Sequence, residues 1–217
     1  MTDIIKSTMA ALEKNNIKAF YCESSAEAVT LVKGMLFKGA TITRGGSESV
    51  KQSGIFDLIN CGDYRFLDRT RKGITKEEEM ESYKETVGGD FYFCSANAVT
   101  KDGQIVNIDG YSNRVSAIAF GPKKVIMIVG KNKIVDDLNA ATVRIKTEAA
   151  PKNCVRLNKN TPCATLGKCV CIKDNYIPQI YEGCSSPDRI CRNVLISGPQ
   201  VIKDRINVII VNESLGY

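Results

Sequence analysis

The chain has 217 residues, 43% of them hydrophobic and 25% charged, with a formal net charge of +6. That balance is the ordinary one of a folded globular protein, and the length is within reach of one α/β unit spanning 1–217. It contains no histidine, which excludes Ser-His-Asp and Cys-His catalysis, imidazole bases and His-ligated zinc.

The positive excess is spread thinly. No run of five basic residues occurs, and no basic stretch alternates with aromatics, so no nucleic-acid groove is expected. The longest strongly apolar stretch, Val125 to Val129, falls far short of the roughly 20 residues of a spanning helix. The amino terminus carries acidic residues and no cleavage site after an apolar run. Membrane insertion is therefore not expected, and a cytoplasmic location is.

In chain order, Ile4, Ile5, Met9, Leu12 and Ile17 stand near helical spacing, which predicts an amphipathic helix over 3–16. A strand is expected at Lys18 to Cys22. Ser24 and Glu27 form a capping-box pattern opening a helix to about Phe37. Ala40 to Thr43 reads as a strand and Ser49 to Ser53 as a short helix. Asp57 to Asn60 and Arg65 to Asp68 read as connections. Thr75 and Glu78 make a second capping box, opening an acidic helix to about Thr86. Phe91 to Ser95 is a predicted strand, Asp102-Gly103 a hairpin turn, Val115 to Phe120 a short helix and Lys124 to Val129 a buried strand. The pattern from Ile134 to Ala149 is helical, and Pro151 is expected to end it. Residues 151–203, rich in Cys, Pro, Asn and Lys, read as an irregular lobe before a last buried strand at Asn207 to Val211. Strands alternating with helices predict an α/β fold with a mainly parallel sheet covered on both faces.

Three segments carry candidate chemistry. Arg44, Gly45, Gly46 and Ser47 stand where a strand feeds a helix, the usual ligand position in open α/β sheets. Glycines allow close backbone approach, and helix-start amides favour an anion; the plainer reading is a tight turn with a serine cap. Asn97, Asp109, Asn113 and Arg114 form a second polar set, in which the Arg fork suits a carboxylate. The alternative is that these residues bond loop backbone. Ser47 has no imidazole to activate it, so nucleophilic-serine chemistry is not expected. The third segment is the cysteine lobe. Of nine cysteines, Cys22, Cys61 and Cys94 lie in apolar surroundings and read as small buried hydrophobes. The other six fall between Cys154 and Cys191. Thiolates select zinc or iron–sulfur clusters, although Cys163-x5-Cys169-x-Cys171 and Cys184-x6-Cys191 match no standard ligand spacing. Reduced thiols or a reversible disulfide are the alternatives.

The ordered series Gly45-Gly46-Ser47, Ala96-Asn97-Ala98-Val99-Thr100-x-Asp102-Gly103, Asn107-x-Asp109-Gly110, Asn113-Arg114, Gly121-Pro122-Lys123-Lys124 and Gly130-x-Asn132-Lys133-Ile134-Val135 resembles the LUD-domain family, which includes lactate-utilisation proteins. The resemblance implies a fold like the ribose-phosphate isomerase, glucosamine-phosphate deaminase and CoA-transferase superfamily. It also implies a role beside iron–sulfur oxidoreductase subunits in oxidation of lactate to pyruvate. A family subgroup carries a similar cysteine pattern, which makes Cys163, Cys169, Cys184 and Cys191 the implied ligands of an iron–sulfur cluster or zinc. The expected ligand is a small carboxylate or other anion. Rival readings are a stand-alone enzyme on a phosphosugar or CoA ester, and a non-enzymatic metal-binding or assembly subunit.

Overall fold

In the computed structural model, which describes residues 1–217, helix α1 (Asp3–Lys14) opens the chain and buries Ile5, Thr8 and Leu12 along one stripe. Strand β1 (Lys18–Cys22) and helix α2 (Ser25–Met35) follow. Ser24 caps α2 by accepting the Glu27 amide at 3.3 Å, but the Glu27 carboxylate takes the Glu23 amide at 2.8 Å rather than that of the cap. Strand β2 (Thr41–Arg44) leads to the short helices α3 (Glu48–Gln52) and α4 (Ile55–Ile59). The segment around Asp57 is thus helical rather than a connection, because Ile55 and Ile59 at i,i+4 bury on one face. Strand β3 (Arg65–Phe66) precedes α5 (Lys76–Val87), whose Thr75–Glu78 capping box is complete.

Strand β4 (Phe91–Cys94) is followed by the hairpin β5 (Ala98–Thr100) and β6 (Ile105–Asp109). Gly103 turns that hairpin with φ +84°, and an added Cβ would meet the Ala11 backbone at 2.6 Å, so only glycine lets α1 lie across the turn. Then come α6 (Asn113–Ala119), β7 (Lys124–Gly130), β8 (Ile134–Val135), α7 (Leu138–Arg144), α8 (Ala150–Arg156), α9 (Pro162–Leu166), β9 (Asn193–Ser197) and β10 (Ile206–Val211).

Six strands form one parallel sheet in the order β1-β10-β7-β4-β2-β3. Its central strands are apolar on both faces, as a doubly covered sheet requires. Along β7, Val125, Met127 and Val129 enter one core with α1, while Ile126 and Ile128 enter the other with α2 and α4. Strand β10 divides the same way, Val208 to one side and Ile209 to the other. A second, four-stranded sheet in the order β8-β5-β6-β9 covers α7 and α8 through a third cluster of Val106, Ile108, Ala141 and Ile145.

Other expectations need correction: Arg65–Phe66 is strand β3 rather than a connection, and Ile134–Val135 is strand β8, so the helix expected from Ile134 begins at Leu138. Pro151 does not end the helix. A π turn at Ile145–Ala149 joins α7 to α8, and the helical path runs on to Arg156. Segment 193–197 is not irregular but an antiparallel edge strand on β6. Its half-buried Val194 and Leu195 beside exposed Ile196 give neither an alternating nor a fully apolar signature. Cys61 is exposed, whereas Cys22 and Cys94 are buried as expected.

Candidate functional site

The candidate site lies where β2, β4 and β7 end. Past β2, the Gly45 amide donates to the Phe93 carbonyl at 2.9 Å and keeps the chain against β4. A Cβ on Gly45 would stand 2.9 Å from Tyr92 Oη and 3.3 Å from Arg114 Cδ, so this glycine makes room for the Arg114 stem. Gly46 faces open space flanked by guanidinium groups: its absent Cβ would lie 3.8 Å from both Arg69 Nη2 and Arg156 Nη2. Ser47 Oγ accepts the Val50 amide at 3.3 Å, which makes it the cap of α3. That helix has five residues, so the attraction for an anion comes from the surrounding arginines.

Asp109 and Asn97 organise Arg114. The Asp109 carboxylate accepts four backbone amides, Tyr111 at 2.9 Å, Ser112 at 3.1 Å, Arg114 at 3.0 Å and Val115 at 3.2 Å. It shapes the turn into α6 and is not free for a ligand. Asn97 Oδ1 accepts both the Ile108 amide and Arg114 Nη2, each at 2.9 Å. Arg114 Nη2 also donates to the Ile108 carbonyl, whereas its buried Nε has no partner. An unpaired buried donor on a fixed guanidinium is costly unless something fills it. Asn113 lines the same cleft. Arg44 does not join them: it stacks 4.4 Å over the Phe56 ring, bonds Thr70 Oγ1 at 2.9 Å, and faces a neighbouring small cavity.

The cleft has a volume of about 530 Å³, within the usual range for small-molecule sites. Six cations line it (Arg69, Arg114, Arg156, Lys159, Arg189 and Arg192) against the carboxylates of Asp109 and Asp188. Asp109 is committed to backbone amides, and Asp188 accepts the Asn160 amide at 2.9 Å. Arg69 leans on Tyr83, whose hydroxyl it bonds at 3.0 Å. Arg156 is held by Asn153 Oδ1 at 2.7 Å and pairs with Glu48 at 3.6 Å. Neither Arg69 nor Arg156 was legible as a site residue. Arg69 sits in a loop, and Arg156 lies beyond the proline expected to end its helix.

A narrower recess opens from the same Gly46, Arg114 and Asn153 and is floored by Ser95, Ala96 and Lys133. Lys133 is 3% exposed. Its ammonium position donates to Ser95 Oγ at 3.1 Å and to the Ala96 carbonyl at 3.2 Å, and no carboxylate pairs with it. Burial, reinforced by the charges of Arg144 and Arg114, pulls its pKa down to about 7. Burial likewise pushes the adjacent Cys94 thiol up to about 12. In sequence, Lys133 sits in a Lys-Asn-Lys turn and looks like a surface charge.

The cysteine lobe lies behind α8. Cys154, Cys163, Cys169, Cys184 and Cys191 all line one small, mostly apolar cavity beside Arg189 and Lys146. All nine cysteines are free thiols. Cys154 Sγ lies 3.7 Å from Cys163 Sγ, and Cys169 Sγ lies 3.2 Å from Cys171 Sγ. Arg189 Nε donates to Cys191 Sγ at 3.2 Å and Nη1 to the Cys184 carbonyl at 3.2 Å. The all-thiol donor set fits a soft metal, and the Cys154–Cys163 separation matches the ~3.8 Å edge of a tetrahedral zinc–thiolate site. As the side chains stand, no three of them converge on one metal position. Burial raises the pKa of Cys154 to about 12 and of Cys171 to about 11.

No helix is long and apolar enough to cross a membrane. The family model described as the LUD domain matches residues 5–211. A solved structure, that of a DUF162 family protein from Deinococcus radiodurans, aligns with a TM-score of 0.52 at 13% identity over 97% of each chain, which shows a shared fold. No curated protein matches the sequence.

Proposed function

Because the chain belongs to the LUD-domain family, we propose that it holds a small carboxylate or phosphate-bearing metabolite in the cationic cleft and serves lactate-type metabolism. In this reading it is a component of lactate oxidation to pyruvate that works beside iron–sulfur oxidoreductase subunits. The observation that carries the ligand class is the Arg114 guanidinium, fixed by Asn97 with its buried Nε unpartnered, on the same cleft as Gly46, which Arg69 and Arg156 flank. Although Arg156 pairs with Glu48 and Arg69 with Glu79, cations outnumber carboxylates around the cleft, and guanidinium forks beside open backbone suit a bidentate anion. The test is calorimetric titration with lactate, pyruvate and inorganic phosphate at low salt. Binding by the wild type, weakened by ~1.5–3 kcal/mol in Arg114→Ala, is expected on the scale of charge-assisted hydrogen bonds. Anion binding that ignores Arg114 and Arg69 substitutions would overturn the reading.

A stand-alone enzyme acting on a phosphosugar or CoA ester is the second reading, favoured by a cleft larger than a three-carbon acid requires. Tighter binding of a sugar phosphate than of lactate would select it.

The proposal of a zinc ion or iron–sulfur cluster held by Cys163, Cys169, Cys184 and Cys191 is supported by their common cavity, to which Cys154 is added. A bound metal would draw the buried thiols into their thiolate form and lock the lobe. Metal analysis of anaerobically purified protein decides it: one equivalent of zinc or iron supports the centre, and metal-free protein with an unchanged lobe removes it.

A further inference from the structure

The recess beneath the cationic cleft presents a lysine that no ion pair explains. Lys133 follows β7, and its side chain runs under the ends of β4 and β7 to meet Ser95 and Ala96. Ser95 Oγ donates its own proton to the Ile128 carbonyl at 2.6 Å. Its oxygen is therefore an acceptor toward Lys133, and the lysine does not activate the serine as a nucleophile. The Ala96 carbonyl takes a second N–H. A neutral amine has two N–H groups, and both have fixed acceptors here. The remaining position on nitrogen is then the lone pair, and Nζ makes no third hydrogen bond within the protein. Gly216 lies beside the amine, where a Cβ would stand 3.4 Å from Nζ. Burial and the charges of Arg144 from α7 and Arg114 from α6 disfavour a charge on the amine, and Cys94 at the end of β4 is the one neighbour that acts the other way. Glu48 faces the same recess but pairs with Arg156, and Tyr217 bonds Asn153.

We infer that the Lys133 ε-amine is a nucleophile that condenses with the carbonyl group of an aldehyde or 2-oxo acid whose anionic group sits against Arg114. The inference rests on the anion reading of the cleft. The nitrogen lone pair forms the C–N bond, the carbonyl π pair moves to oxygen, and one amine proton transfers to that oxygen. The resulting carbinolamine expels its hydroxyl with the second amine proton as water, leaving a neutral imine. No oxidant or reductant is consumed. Ser95 and the Ala96 carbonyl orient the amine, and burial, aided by Arg144 and Arg114, leaves a large share of it unprotonated near neutral pH.

The experiment uses the full chain with pyruvate or glyoxylate as probe and cyanoborohydride to trap the imine, followed by peptide mapping of the modified lysine. Lys133 is expected to label at least about tenfold faster than any surface lysine at pH 7, because an ordinary lysine is almost wholly protonated there. Its labelling rate should rise through about pH 7 and level off, whereas surface lysines keep accelerating toward their ordinary pKa near 10.4. Inorganic phosphate should slow the labelling of Lys133 alone. Labelling spread evenly over the lysines, or absent from Lys133, would overturn the amine proposal. If phosphate still binds with Arg114 dependence in that case, the anion reading stands without it. Labelling at Lys133 that ignores phosphate and Arg114→Ala upholds the nucleophile and removes the anion reading. Mapping on the wild type needs no variant to fold.

Discussion

The carbonyl oxygen of Lys146 accepts the amide of Cys169 at 2.8 Å. In the π turn the Ala150 amide donates back to the Ile145 carbonyl, so the next donor in line for Lys146 is residue 151. Residue 151 is proline and has no amide. The cysteine lobe supplies the missing donor, and the Lys146 side chain reaches the same lobe at the Glu182 carbonyl. The helix thus passes its proline without an orphaned acceptor, and the lobe is docked by the bond the proline leaves open.

Pro151→Ala should therefore change stability by less than about 1 kcal/mol, far from the ~3 kcal/mol recovered when an ordinary interior proline is removed. Urea denaturation measures it. A gain near the larger figure would mean that the proline strains the helix despite the Cys169 bond.

Gly45→Ala should disturb both folding and ligand binding. Its Cβ would press Tyr92 Oη and the Arg114 stem, and overpacking of this kind costs about 1–3 kcal/mol. Tyr92→Phe in the same chain removes the nearer contact and should recover part of the loss, which a double-mutant cycle reads as coupling. Independent, additive effects would show that the two side chains do not meet as described.

Lys133 makes stability depend on pH with a definite sign. Its folded pKa of about 7 lies below the ordinary lysine value. Between about pH 7 and 10 the unfolded chain holds a proton that the folded chain has released. Stability gained from this group therefore rises with pH across that window, and the full penalty stands at pH 7 and below. Lys133→Met removes a penalty on the order of 4 kcal/mol at pH 7. Its advantage over the wild type should shrink toward pH 10. The comparison between the two chains is needed because the raised Cys94, Cys154 and Cys171 thiols act in the opposite direction in the upper part of that window. A constant difference from pH 6 to 10 would show that the amine is charged in the folded protein.

Cys61 should react with a maleimide first and in one equivalent, since it is exposed while Cys22, Cys94 and most of the lobe are buried. The remaining thiols should follow on unfolding. Peptide mapping after brief labelling checks this; rapid modification of Cys163 or Cys191 would mean that the lobe opens readily.

By itself the sequence determined the elements whose cause is local. The Thr75 capping box, the Asp102-Gly103 turn and the doubly apolar β7 and β10 all form where short-range chemistry places them. The ordered motifs also carried the family, which the match over residues 5–211 shows. Of the expected ligand set, Gly46, Asp109, Asn113 and Arg114 line the cleft and Ser47 and Asn97 the adjoining recess, because strand ends and helix starts bring them there. What remained hidden depends on partners distant in the chain. Asp109 looked like a ligand and is a turn organiser, since its acceptors are claimed by four amides. Arg156 enters the site on a helix that runs past Pro151, where the Lys146 carbonyl is satisfied by the distant Cys169 amide. The Lys133 pKa falls to about 7 only when the assembled core removes its water and sets Arg144 and Arg114 nearby, and desolvation is a property of that core that no local pattern of residues can announce.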